Sequence, residues 1–189
     1  MSNQWIGIKN IILRYWQNYG GFRAIIRSPY FHLAILFTIF TIPFWFYHKW
    51  WDQILSIIPS ILGFTLGGFA IFLGYGNDKF RSLMAKKDST GNSPYLNVVS
   101  SFLHFVIVQI LALIFALTAN SIGAIDVLDI STTNRSPCIS FFWFIIGFIG
   151  YGSFLYSLFL AFAVSFALYR LASIYVEFET QQTDKTSNL

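Results

Sequence analysis

The sequence predicts an all-α polytopic membrane protein, a bundle of four transmembrane helices preceded by an amphipathic N-terminal helix. Three observations carry this expectation: the composition, four long uncharged runs, and the placement of lysine and arginine. Of 189 residues, 56% are hydrophobic and only 11% charged, whereas a soluble domain averages roughly a quarter charged. A chain so poor in charge has an outer surface matched to lipid, and its length suits one compact bundle.

No formally charged residue lies between Arg27 and Lys49, Asp52 and Asp78, Asp88 and Asp126, or Arg135 and Arg170. A crossing takes about 20 apolar residues at about 1.5 Å each, so each run holds one. Spans are expected over 30–47, 54–75, 95–124 and 139–171, after an arm over 1–29 and before a polar tail over 172–189 that is expected to be flexible past Glu179. The last two runs exceed the roughly 30 Å of hydrocarbon. They must tilt or project beyond the bilayer as a packed pair.

Orientation follows from positive charge, which concentrates on the cytoplasmic side. Lys9, Arg14, Arg23 and Arg27 lie in the arm, Lys79, Arg81, Lys86 and Lys87 in the second loop, and Arg170 and Lys185 at the C-terminal end. These are ten of the twelve Lys and Arg, against Lys49 and Arg135 opposite. Both termini are therefore expected inside, an assignment that requires an even number of crossings. The arm and loop cations are candidates for contact with the membrane surface or a partner. Tyr47, Trp50, Trp51, Tyr169 and Tyr175 fall at span ends, where amphipathic rings favour the headgroup level.

The arm reads as a short amphipathic helix, with Trp5, Ile8, Ile12 and Trp16 at helical spacing and Lys9, Asn10 and Gln17 away from that stripe. It can lie on the inner leaflet or pack on the protein itself, with Gly20-Gly21 as a break before the first span. Its basic residues are spread along its length rather than leading one apolar core, so no cleavable signal is expected. The single cysteine, Cys138, allows no internal disulfide and reads as a small apolar residue at the start of a span.

Two spans carry stripes of small residues. Ser60, Gly63, Gly67, Ala70 and Gly74 share one face of the second span, and Gly147, Gly150, Ser153, Ser157 and Ala161 repeat the device in the fourth. Such faces let backbones approach where lipid supplies no hydrophobic drive. Packing within a protomer is the simpler use of the first stripe, but two such faces in four helices point towards a homo-oligomer. In the third span Asn97, Ser101 and His104 occupy one face at i, i+4 and i+7, with Gln109 deeper. Polar groups at membrane depth face a bundle interior or a wet cavity, so this set either braces helices or forms a pore or gate.

Enzymatic and metal signals are weak. Arg27 to His32 has the Arg-x4-His spacing of the RNase motif of HEPN domains, but Pro29 falls inside it, where a helix would begin rather than continue. Asp126 and Asp129 lack metal-site spacing, and no hydrolase or phosphate-binding motif occurs. No cofactor and no direct nucleic-acid contact are expected. No Asp, Glu, Lys or Arg lies in the interior of a proposed span, which argues against ion-coupled transport.

The order of parts is a basic arm, four spans, a Gly-rich second span ending in Gly74-Tyr75-Gly76-Asn77-Asp78-Lys79-Phe80, and a short polar tail. It resembles the small four-span membrane components of bacterial anti-phage defence systems, such as the Kiwa membrane subunit and the Hailong membrane effector. The resemblance implies a non-enzymatic inner-membrane homo-oligomer acting as a membrane sensor or channel-like effector, with a cytoplasmic protein partner or an anionic trigger. The alternatives are a small-solute transporter or export accessory subunit, or a membrane anchor for a soluble partner.

Overall fold

The computed structural model describes residues 3–74, 76, 78–86, 93–128 and 137–187, with side chains described within 4–123 and 141–183 of these. The described elements are eight helices: α1 (Asn3–Tyr19), α2 (Gly21–Arg27), α3 (Pro29–Phe40), α4 (Ile42–Tyr47), α5 (Trp50–Gly74), α6 (Asp78–Ala85), α7 (Pro94–Leu128) and α8 (Pro137–Ser187). Among the described residues three helices, not four, are long and apolar enough to cross a membrane, within α5, α7 and α8.

The expected first span over 30–47 is broken. Pro43 has no N–H for the Ile39 carbonyl, and its ring crowds that carbonyl. Thr41 accordingly leaves helical geometry at φ −94° and ψ 12°, ending α3 after 12 residues and starting α4 with Pro in its first turn. At the break the Trp45 indole N–H donates to the Thr38 carbonyl at 2.8 Å. The two pieces still run antiparallel along α8. Phe31 meets Tyr156 at 5.5 Å between ring centroids, and Trp45 meets Phe144 at 5.2 Å.

α5 begins at Trp50, four residues before the expected start, and ends one residue before the expected end. α7 has 35 residues and α8 has 51, so they run about 52 Å and about 76 Å. The expected tail is thus a continuation of α8 as far as Ser187, helical rather than irregular. Beyond Leu171, Tyr175 and Phe178 of that extension pack on Phe80 of α6, which is buried. The C-terminal part of α8 is therefore packed structure, with α6 lying against it.

Two apolar clusters stack along the bundle. One gathers Phe72, Phe80, Met84, Phe102, Phe105 and Leu160. The other gathers Trp45, Trp50, Ile54, Ile58, Tyr151 and Phe154 around Ala112, Ala116 and Ala119, alanines that let α7 approach closely. Trp50, expected near a span end, lies 1% exposed in this second cluster, close to the start of α5.

The two small-residue stripes divide their labour. On α8, a Cβ on Gly150 would strike the Trp50 ring, and one on Gly147 would stand 2.8 Å from Trp45. Ser157 is buried and its hydroxyl donates to the Phe154 carbonyl, while Ser153 donates to that of Ile149. This face packs within the protomer, so it is not spare surface for self-association. On α5, Ser60, Gly63, Gly67, Ala70 and Gly74 lie away from the core, and a Cβ at any of the three glycines would meet nothing within 4 Å. Internal packing, the simpler expectation for that stripe, is overturned, because α5 turns its opposite side, with Ile54, Ile58, Thr65 and Phe72, to the core.

Candidate functional site: a histidine–tyrosine clasp below a polar groove

Gly20 and Gly21 take φ of +96° and +63°, a left-handed turn that separates α1 from α2. The C-terminal half of α1 lies on α7. There His104 is buried, with Tyr15 Oη 2.7 Å from its Nδ1 and Tyr156 Oη 3.0 Å from its Nε2. Tyr19 stacks on the imidazole with centroids 3.9 Å apart. A neutral imidazole offers one donor and one acceptor, and a hydroxyl can be either, so both tautomers satisfy the clasp. His104 is therefore a brace joining α1, α7 and α8, not an open pore lining of a single protomer.

Burial, and then the neighbouring Tyr19, push the Tyr15 hydroxyl from its ordinary value of 10.0 to about 12. Folding thus favours its protonated form. The associated stability is whole below about pH 10 and drains away as pH climbs towards about 12.

The rest of the expected polar face lies above this clasp. Asn97 and Ser101 line an open groove of about 400 Å³ with Asn18, Tyr19, Ser28 and Tyr30, floored by Leu160, Ala163 and Val164 of α8. The Ser101 hydroxyl donates to the Asn97 carbonyl at 3.0 Å. Gln109 is separate and fully buried, where its Nε2 donates to Thr65 Oγ1 at 3.2 Å and ties α7 to α5. Among the described residues its Oε1 is buried without a partner. The four polar residues of α7 thus divide into a groove pair, a clasp and an interhelical tie.

The arm packs on the bundle through Tyr15, which lies off its apolar stripe. Tyr15 docks on His104, while Trp5 (67% exposed), Ile8 and Ile12 of the apolar stripe stay uncovered. Lys9, Arg14, Arg23, Arg27, Lys79 and Lys86 are exposed as expected, and Lys87, Arg135, Lys185 and Cys138 lie outside the described residues or side chains. Arg81, also exposed, uses its guanidinium within the chain, donating at 3.2 Å to the Gly74 and Gly76 carbonyls at the C-terminal end of α5.

Tyr15, Tyr19 and Tyr156, which make the clasp, are not distinguished by sequence pattern. A tyrosine among twenty-two phenylalanines reads as bulk, and only a hydroxyl stranded inside an apolar span, as in Tyr156, signals a polar partner. Comparison with protein-family models, with curated proteins and with solved structures returned no match to this chain.

Proposed function

We propose that the protein is a self-associating membrane sensor of bacterial anti-phage defence, in which α5 joins copies and α1 is the element that changes place. The observation that carries this reading is the clasp. An amphipathic, four-fold basic arm is held at one end by the buried Tyr15–His104–Tyr156 bonds, while its apolar stripe stays open to a membrane or a partner. The defence setting comes from the resemblance in the order of parts. Deleting the gene from a strain that keeps its neighbours should raise phage plaque counts; unchanged counts would remove the defence reading.

Self-association is supported by the shape of α5. Its uncovered small residues form a trough between Phe64 (83% exposed) and Ile71 (74% exposed) on one side and Leu66 and Leu73 on the other. A second helix can lie in such a trough with close backbone contact. Gly67→Leu should fill it and convert the detergent-solubilised assembly to a folded monomer, as read by light scattering and circular dichroism. An unchanged assembly mass would show that this face meets lipid.

The ten-to-two distribution of Lys and Arg supports both termini inside the inner membrane, and that assignment requires α3 and α4 to cross as one kinked element beside α8. Their 19-residue stretch from Pro29 to Tyr47 reaches about 28 Å if extended end to end, close to the hydrocarbon thickness. Reporter fusions after Asn92 and at the C-terminus should both read cytoplasmic, and a periplasmic signal from either overturns the arrangement.

The channel-like effector is the second reading, favoured by the polar groove at Asn97 and Ser101. Within one protomer that groove meets the clasp at Tyr19, so conduction would run between copies. A potential-sensitive dye during triggering separates the readings, because only the channel depolarises the cell.

A further inference from the structure

We infer that an anionic glycerophospholipid occupies the groove and the crevice beneath it, headgroup in the first and an acyl chain in the second. The crevice, about 230 Å³, lies between α3 and α8 and is lined by Phe31, Ala34, Ile35, Thr38, Gly152 and Ser153, with Tyr156 at one end. Groove and crevice are consecutive along the same two helices. On α8, Gly152, Ser153 and Tyr156 line the crevice, and Leu160, Ala163 and Val164 continue that face at steps of three and four into the groove. On α3, Phe31 to Thr38 line the crevice, while Ser28 and Tyr30 at its start line the groove.

The two compartments differ in chemistry as the two parts of a lipid do. Every hydroxyl around the crevice is already bonded inside the protein: Thr38 to the Ala34 carbonyl, Ser153 to that of Ile149, Tyr156 to His104. What remains for a ligand there is hydrocarbon. The groove instead presents Asn18, Asn97 and Ser28, and the Ser28 side chain makes no capping bond of its own.

Charge selects the headgroup. Among the described residues no carboxylate lines the groove, and the first acidic residue of the chain is Asp52. Ala24 and Ser28 in its wall each follow an exposed arginine, Arg23 and Arg27. A phosphate-bearing, net negative headgroup would meet two arginines beside that wall and no carboxylate in the described lining, and a zwitterionic one gains less. The lipid would touch Tyr19 and Tyr156, two of the three rings around His104, so occupancy would hold α1 in its docked position. The inference needs the membrane setting of this chain but not its role in defence.

The test uses the full-length protein, delipidated in a maltoside detergent and melted with added dioleoyl phosphatidylglycerol, dioleoyl phosphatidylcholine or inorganic phosphate. Phosphatidylglycerol at saturation should raise the melting temperature by about 5 °C, phosphatidylcholine by clearly less, and phosphate not at all. Ser153→Phe, which fills the crevice, should abolish both lipid shifts. Arg23→Gln with Arg27→Gln, both on exposed positions that leave packing intact, should erase the preference between the lipids while keeping the smaller shift. Equal shifts from the two lipids in the unaltered protein overturn the proposal. So does a phosphate shift matching that of phosphatidylglycerol, or a full preference surviving in the double arginine variant, which decides the matter even if Ser153→Phe fails to fold. Plaque counts unchanged by deletion of the gene, with these lipid shifts intact, would remove the defence reading alone.

Discussion

Gly150→Val is expected to unseat Trp50 and to lower the melting temperature sharply. A Cβ at Gly150 would already strike the Trp50 ring, and its neighbour Phe115 stands 3.3 Å away, so a branched side chain has nowhere to go. Overpacking of this kind costs about 1–3 kcal/mol, and expelling a 1%-exposed indole forfeits contacts worth as much again. The displaced ring enters lipid or detergent, so a changed tryptophan emission should accompany the lower melting point. The internal control is Gly67→Val, where no atom lies within 4 Å of the new Cβ and the protomer should melt unchanged. If Gly150→Val melts like the unaltered protein, the Trp50 niche is not where α5 meets α8.

His104→Leu should release α1. Leucine fills a similar volume but takes away the His104 partner of the Tyr15 hydroxyl, at about 1–3 kcal/mol, and leaves the Tyr156 hydroxyl with Tyr19 alone. Tyr15 can escape that cost by leaving with α1, whereas Tyr156 is fixed in the middle of α8. Hydrogen exchange of the last two turns of α1 should therefore quicken by about tenfold or more, one decade for each 1.4 kcal/mol lost. His104→Gln, which keeps a donor and an acceptor, should restore part of the protection. If release of α1 is the signal, His104→Leu should also activate the system without infection and slow growth. Exchange in α1 identical to that of the unaltered protein would show that the tyrosine–histidine bonds do not hold the arm.

The membrane character of the chain, three of its long helices and the break at Gly20-Gly21 were legible in sequence because each rests on a local rule: uncharged run length, or a residue able to take positive φ. The break at Thr41 was legible in principle, since Pro43 stands in the middle of the expected span; hydropathy averaged over that span concealed it. The orientation of the α5 stripe was not legible. Small residues mark a face on which something can come close, but whether it is a helix of the same chain depends on which side of α5 turns towards α7, and that is set by Ile54, Ile58 and Thr65 together. In α8 the same residue types became niches because the bulky partners, Trp45 and Trp50, lie a hundred residues away in sequence. His104 stood out as a polar residue within a long apolar run, and it lies buried in the bundle. Its partners could not be named because Tyr15 and Tyr156 reach it from opposite ends of the chain.

α8 is one unbroken rod from Pro137 to Ser187, with no proline after its first residue. Trp50 presses on it at Gly150, while the far end lies 37 residues beyond, or about 55 Å. With the indole as fulcrum, a tilt of about 10° would swing the distal end by about 10 Å and carry α6 with it through Tyr175 and Phe178, because a continuous helix has no joint at which to absorb the motion. A disturbance too small to reshape the packing around Gly150 would thus arrive at the far end of α8 enlarged to the width of a helix.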